Sequence, residues 1–502
     1  MPLPFHEYLS HDACGLAELV RTGQVSPREL LDAAIERIEA TNPGLNAVID
    51  RLYDRARLNL ERGLPDGPFK GVPFLLKDTL EIQGTKASFG SAAARHHICS
   101  ETHELARRLE AAGLVIVGRT NMSEIGLLPT TEPALYGSTK NPWNPAYSPG
   151  GSSGGAAAAV ASGMVPMAHA DDGGGSIRIP ASACGLFGLK PSRGRNPGSP
   201  RDAPLGFIQT HCVSRSVRDS ATLLDATHGA LTGDVDFAPP PTLPYRQAAE
   251  RDPSPLRIAF MTRNFSGTRA HPDCTAAVEN AARLCEELGH RVTQDSPRID
   301  GGAYNDAFLV VWGMSAGYFV KAVARAATQQ MPKALAARVK PETVARGLTS
   351  LSALPLRNPP FERFTRRLAL IDRRYSPADV WLAAETLQLA ARTLAGFFEN
   401  YDLLLTPVLG EPPWKLGTFS HFWSEDETRQ RLLDYVGYTP ICNTSGFPAM
   451  SVPVDENAQG LPIGVQFIAP FAQEQRLFAL AGQLERARPW ASRLRFFDEA
   501  HC

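Results

Sequence analysis

From Gly150 to Ala161 the chain carries no side chain larger than valine. Gly150-Gly151-Ser152-Ser153-Gly154-Gly155 runs directly into the alanine-rich stretch Ala156 to Ala161. Glycine allows turns and close backbone approaches closed to other residues. Alanine favours the helix and lets it sit close to its neighbours. The stretch therefore predicts a loop followed by a small-residue helix packed tightly against its surroundings. A second glycine cluster follows, Asp172-Gly173-Gly174-Gly175-Ser176-Ile177-Arg178. Upstream, Gly71-Val72-Pro73-Phe74-Leu75-Leu76-Lys77-Asp78 sets a lone lysine at the end of an apolar run.

The surrounding pattern alternates between the helical and extended periods. Ser26-Pro27-Arg28-Glu29 forms a capping box with proline at the first helical position. Leu30, Leu31, Ala34, Ile35 and Ile38 follow at helical spacing, and Asn42-Pro43-Gly44 is expected to end that helix. Strands are predicted at 72–76, 114–117, 258–261, 291–293, 403–405, 449–452 and 465–468, and helices at 104–112 and 274–288. Residues from about 300 to 400 read as mainly helical without a recognisable motif. This alternation predicts an α/β layered fold. Pro239-Pro240-Pro241 marks a loop and the best internal boundary. The expected organisation is a single domain over 1–502, with a core at 65–220 and a helical elaboration at 238–400 that shapes a pocket.

Charge and cysteine usage narrow the class. Lys plus Arg is 51 against 52 for Asp plus Glu, a net charge of −1, which gives no field for nucleic acid or an anionic membrane. The eight cysteines form no C-x-x-C pair, which argues for reduced core thiols. No basic-then-apolar leader opens the chain, and no apolar run approaches the ~18 residues of a membrane span. A cytoplasmic enzyme acting on a small molecule is expected, with no nucleic-acid or membrane partner and a homo-oligomer left open.

The two serines and the lysine carry the chemistry. A serine hydroxyl is a poor nucleophile until a base takes its proton. Ser176 follows three glycines whose N–H groups could converge on an oxyanion; the same turn could instead bind an anion or cap a helix. Lys77 could sit buried, with its ammonium disfavoured and an amine free to act as base; it could equally reach solvent from a strand end. Asp78 follows it, but neighbours on a strand point to opposite faces. Ser152 could relay a proton, since a hydroxyl donates and accepts, or simply close a turn. Gly151-Ser152-Ser153-Gly154-Gly155 also fits G-x-S-x-G, but the loop-like residues before it lack the strand that a nucleophile elbow needs. It lacks the ending of a phosphate loop. His169 is an alternative base near Ser176. His96-His97 has no spacing for a metal, and neither metal nor cofactor is expected.

On these residues the chain resembles the amidase signature family of serine hydrolases. The resemblance rests on Gly150 to Gly155, the alanine-rich helix, Asp172 to Pro180, Cys184-Gly185, Gly188 and Lys190-Pro191. It extends to the segment ending at Lys77-Asp78, to Gly118-Arg119-Thr120-Asn121-Met122-Ser123-Glu124 and to Ser445 through Pro453. It implies a mixed central β-sheet covered by helices on both faces. It also implies a Ser-Ser-Lys triad: Ser176 as nucleophile, Ser152 as a bridging serine on a cis peptide, and Lys77 as base. The two serines stand 24 residues apart, as in that family. The amides of Gly173, Gly174, Gly175 and Ser176 match its oxyanion hole, with Ser153, Asp172 and Arg178 in support. One position departs from the pattern: Ala170-Asp171 stands where the family has Gly followed by Ser or Thr. Asp171 is expected to point away and cap backbone N–H groups. The triple glycine and Ile179-Pro180-Ala181-Ser182 are similar to a bacterial subgroup typified by 6-aminohexanoate-cyclic-dimer hydrolase. The resemblance implies an amidohydrolase that cleaves a small amide or amide-linked oligomer through an acyl-enzyme. The alternatives are the glutamine-hydrolysing A subunit of a tRNA-dependent amidotransferase, and a non-catalytic scaffold of the same fold. Trp312 and Tyr438, in the region where pocket loops are expected, are candidate pocket aromatics, with ordinary core packing the favoured reading for each.

Overall fold

The computed structural model describes residues 5–198, 206–329, 331–332, 338–354, 356, 359–420 and 423–494. Its strands are β1 (Val48–Arg51), β2 (Pro73–Lys77), β3 (Val115–Thr120), β4 (Met167–Asp172), β5 (Phe187–Lys190), β6 (Gln209–Ser214), β7 (Arg257–Phe260), β8 (Arg291–Gln294), β9 (Leu403–Pro407), β10 (Ala449–Glu456) and β11 (Pro462–Ile468). They join in one sheet in the order β1-β3-β2-β4-β6-β5-β10-β11-β9-β7-β8. β2 runs parallel to β3 and β4, and β7 parallel to β8 and β9; the other pairs are antiparallel. The sheet is mixed, as the resemblance implies.

Strand alternation explains why both faces are covered. Leu75, Val115, Val117, Ala168, Ala170 and Val213 pack on one face with Leu31, Ile38 and the alanines of the helix Gly154–Ala161. Their neighbours Phe74, Leu76, Ile116, Met167 and Cys212 pack on the other with Leu16, Leu105 and Leu109. Side chains at i and i+1 leave a strand on opposite sides, so a near-continuous apolar run needs a layer on each. Every residue of the helix Gly154–Ala161 is buried. The far half of the sheet has its own large core around β5, β7, β9, β10 and β11, closed by the helices Val217–Thr227, Pro272–Glu287 and Glu474–Ala487.

Three expectations are corrected. The first long helix runs Pro27–Leu45, through Pro43. Asn46 adopts the left-handed conformation at its end, with φ 55°, and the Asn42 side-chain oxygen accepts from the N–H groups of Ala47 and Val48 at 2.8 and 2.7 Å. These contacts move the stop signal beyond the proline. Second, the segment 238–400 is not helical throughout, because β7 and β8 belong to the main sheet. The helical part begins with Gly301–Gln329 and continues through Pro341–Leu351, Arg363–Ala369 and Pro377–Phe397. Third, Gly301–Gln329 contains an 18-residue stretch of mean hydropathy 1.5, long and apolar enough to cross a membrane by composition. Here it packs against the three helices that follow it and forms the wall of a cavity.

Candidate active site

β2 and β4 lie side by side and parallel, so their C-terminal ends, at Lys77 and Asp172, point to the same end of the sheet. Lys77 is wholly buried, and its Nζ donates to Ser152 Oγ at 2.7 Å. Ser152 is also buried and precedes the alanine-rich helix; the Gly151–Ser152 peptide is cis. Thr131 Oγ1 fixes the loop, donating to the Gly150 carbonyl at 2.9 Å and accepting from the Gly154 N–H at 3.1 Å. No strand leads into this turn, in keeping with the rejection of a nucleophile elbow. Ser176 is half-buried and faces a cavity that Gly151, Gly173 and Gly174 also border.

The loop between β4 and Ser176 is held by a buried ion pair. Arg178 Nε and Nη2 donate to the two carboxylate oxygens of Asp172 at 2.9 and 2.8 Å, and neither side chain meets solvent. Arg178 also reaches the Thr439 carbonyl, Gln466 Oε1 and Asn443 Oδ1, so the pair ties the loop to the chain around 440 and to β11. Asn443 Nδ2 returns a hydrogen bond to Asp172 Oδ1 at 2.9 Å. Burial opposes ionisation of Asp172, but the Arg178 guanidinium and these donors outweigh it and hold the carboxyl well below its ordinary range.

This arrangement corrects the expected oxyanion hole. The Gly175 N–H, expected among its donors, goes instead to Asp172 Oδ1 at 2.6 Å. Gly175 has φ 134°, and a Cβ there would lie 2.5 Å from Thr439 Oγ1. Its part is to let the loop turn beneath Thr439, whose hydroxyl donates to the Gly174 carbonyl at 2.6 Å. Gly173, Gly174 and Ser176 border the cavity.

His169 is not a base for Ser176. It is buried, its Nδ1 accepts from the Lys77 backbone N–H at 3.3 Å, and burial pushes its pKa down to about 3. Asp78 turns away from Lys77 and accepts from the Ser88 N–H and hydroxyl. Asp171 does not cap backbone N–H groups as expected: its Oδ1 accepts from Lys77 Nζ and its Oδ2 from Thr79 Oγ1. Ser153 Oγ donates to the Asp171 carbonyl at 3.2 Å, a bond within the loop framework.

The cavity has a volume of about 280 Å³. Its lining includes the turn Ile125 to Pro129 and residues of the helix Gly301–Gln329. Tyr304, Phe308 and Trp312, four residues apart on that helix, stack in a row at centroid distances of 6.4 and 6.2 Å, and Phe364 closes on Trp312 at 5.6 Å. Trp312 lines the cavity and also packs against a core cluster, whereas Tyr438 lies in the main core with its hydroxyl donating to the Thr262 carbonyl. Sequence reasoning missed Thr79, Thr131, Thr439 and Asn443. A polar residue beside a turn or helix start carries no signal of its own until the fold brings it to the loop.

A separate group, Glu81, His97 and Cys99, has its possible ligand atoms within 4.8 Å of one another. His97 Nε2 lies 3.2 Å from Glu81 Oε1, a contact that accounts for the pair without an ion.

The Amidase family profile matches residues 29–478. The 6-aminohexanoate-cyclic-dimer hydrolase of Paenarthrobacter ureafaciens is 36% identical over 501 residues, covering 97% of this chain and 96% of that protein. A solved structure of a 6-aminohexanoate cyclic dimer hydrolase complexed with substrate superposes with a TM-score of 0.87 at 32% identity, over 98% and 100% of the two chains. A bacterial aryl acylamidase of the amidase signature family superposes with a TM-score of 0.80 at 25% identity, over 96% and 97%.

Proposed function

The chain belongs to the amidase family and is an amide-hydrolysing enzyme, and from that premise we propose that it cleaves small, largely apolar carboxamides through an acyl-enzyme on Ser176. The observation that carries the reading is the 2.7 Å hydrogen bond from Lys77 Nζ to Ser152 Oγ, buried beside the cavity that Ser176 faces. In the first step Ser176 Oγ attacks the amide carbonyl carbon. Its proton passes to Ser152 as the Ser152 proton passes to Lys77. The carbonyl oxygen takes the electron pair and is met by the loop amides of Gly173, Gly174 and Ser176. Such donors are each worth about 10²- to 10³-fold in rate. The leaving amine recovers a proton through Ser152, and water then enters by the reverse route to release the acid.

The apolar wall favours substrates with hydrocarbon on the acyl or amine side. Amide-linked oligomers with aliphatic arms fit this description, in line with the relatives named above. The test is hydrolysis of a panel of amides by the wild type and Ser176→Ala. The panel includes glutamine, aliphatic amides, anilides, peptide amides and linear and cyclic 6-aminohexanoate dimers. Turnover of an apolar class, lost in the variant by about 10³-fold or more, is the expected result. Turnover that survives in Ser176→Ala removes the nucleophile assignment, and turnover of glutamine alone points to the amidotransferase reading.

A further inference from the structure

Lys77 Nζ has two partners in its buried setting: Ser152 Oγ and the carboxylate of Asp171. Asp171 is itself fixed from its other oxygen by the Thr79 hydroxyl, and its side chain is 14% exposed against 0% for Lys77. The other charged or titratable groups nearby are engaged elsewhere. Arg119 donates to the Leu80 carbonyl and Thr85 Oγ1. Asp78 is held by Ser88 and Gly90. Asp172 is paired with Arg178. His169, through Nδ1, takes only the backbone N–H of Lys77 and is uncharged at neutral pH. His103, which also acts on this region electrostatically, accepts from the Leu105 N–H at the start of the helix Glu104–Ala111. The Asp171 carboxylate is thus the counter-charge against which positive charge on Lys77 is set.

We infer that Asp171 is a positioning residue of the relay, acting through Lys77; the inference rests on the acyl-enzyme reading above. When Ser176 attacks, one proton moves from Ser176 to Ser152 and one from Ser152 to Lys77. The nucleophile's electron pair forms the new C–O bond, and the carbonyl π pair moves to oxygen. Lys77 ends that step as an ammonium ion, and no proton passes to Asp171. A buried cation without a partner is costly, so the carboxylate stabilises the step as charge appears. It also keeps Nζ aimed at Ser152. An aspartate performs the same two duties for histidine in the Ser-His-Asp triad. A threonine or serine at this position, as in the family pattern, can hold the nitrogen but brings no charge.

The experiment measures the rate at which a fluorophosphonate probe labels Ser176, which needs no knowledge of the substrate. The proteins are the wild type, Ser176→Ala, Asp171→Asn and Asp171→Ala, each shown to be folded by its thermal melt. Asp171→Asn keeps the shape and removes the charge, and is expected to label about 10- to 100-fold more slowly. Asp171→Ala is expected to be slow and to recover by about tenfold or more when formate, a carboxylate small enough for the gap, is added. Labelling of Asp171→Asn within about threefold of the wild type overturns the inference. So does a slow Asp171→Ala that formate does not restore, because the loss is then structural. Labelling that persists in Ser176→Ala is a different failure: it removes the nucleophile assignment on which the inference rests.

Discussion

Asp172 and Arg178 show how much one residue pair can hold. Their bidentate contact, with Asn443, Gln466 and the Thr439 carbonyl gathered around it, joins three distant stretches of chain behind the serine loop. Removing one charge leaves the other buried and unpaired, so Asp172→Asn is expected to lose about 3–5 kcal/mol in urea unfolding at neutral pH. The sign of the pH dependence follows from the lowered Asp172 value. Its stabilising share is present above the unfolded carboxyl value of about 4 and is lost as pH falls toward the folded one. The gap between wild type and Asp172→Asn should therefore narrow in acid. At this scale glycine spacing and an apolar run marked Lys77, Ser152 and Ser176 as candidates, and only the family resemblance gave them roles. Asp171 and Gly175 were not. Both lie where a strand gives way to a loop, and there neither strand parity nor composition says where a carboxylate or an N–H points.

The helix Gly301–Gln329 carries the argument at the next scale. Tyr304, Phe308 and Trp312 recur every four residues, which a sequence reader assigns to a core stripe; the structure sets them along a cavity. Periodicity reports which face of a helix is apolar, and a core and a binding cavity ask for the same face. That is why the sequence places a pocket in this region but does not say which of its aromatics line it, while most strands were found within a few residues. Trp312→Ala is expected to raise KM for an apolar amide about tenfold and to leave kcat little changed, since it removes contact area that the ground and transition states share. Steady-state kinetics on the substrate found in the panel checks this. A fall in kcat alone would place Trp312 with the reacting groups instead.

Across the whole molecule, the helical elaboration meets the catalytic core at a pair of buried acids. Glu124, from the turn that lines the cavity, accepts from the Glu362 backbone N–H at 2.8 Å and from Ser91 Oγ at 2.7 Å. Glu362 starts the helix Arg363–Ala369 and accepts from the Ala134 N–H at 2.8 Å. Burial pushes both carboxyls above the ordinary range, and Glu124 raises Glu362 further by its charge. A raised folded value means the folded state binds protons that the unfolded state has shed. Stability is then present at low pH and falls as pH rises through the folded values. Between about pH 4.5 and about pH 8 this pair's contribution to the stability of the wild type should be lost, and Glu362→Gln should flatten that part of the pH dependence of the thermal midpoint. An equally steep slope in the variant would remove the pair from the account. The α/β class was legible from strand and helix periods. The strand order was not, because neighbours such as β5 and β10 lie hundreds of residues apart and no local pattern records their meeting.

The lysine and both serines come from the stretch 77–176, while the aromatic wall comes from a helix that starts at Gly301. Heredity can therefore act on the two separately. A lineage can exchange one aromatic for another on that helix, trial a new acyl group, and discard the attempt, with Lys77, Ser152 and Ser176 never exposed to the trial. A chain built this way carries an old reaction and a revisable appetite, and its descendants should differ first in what they accept.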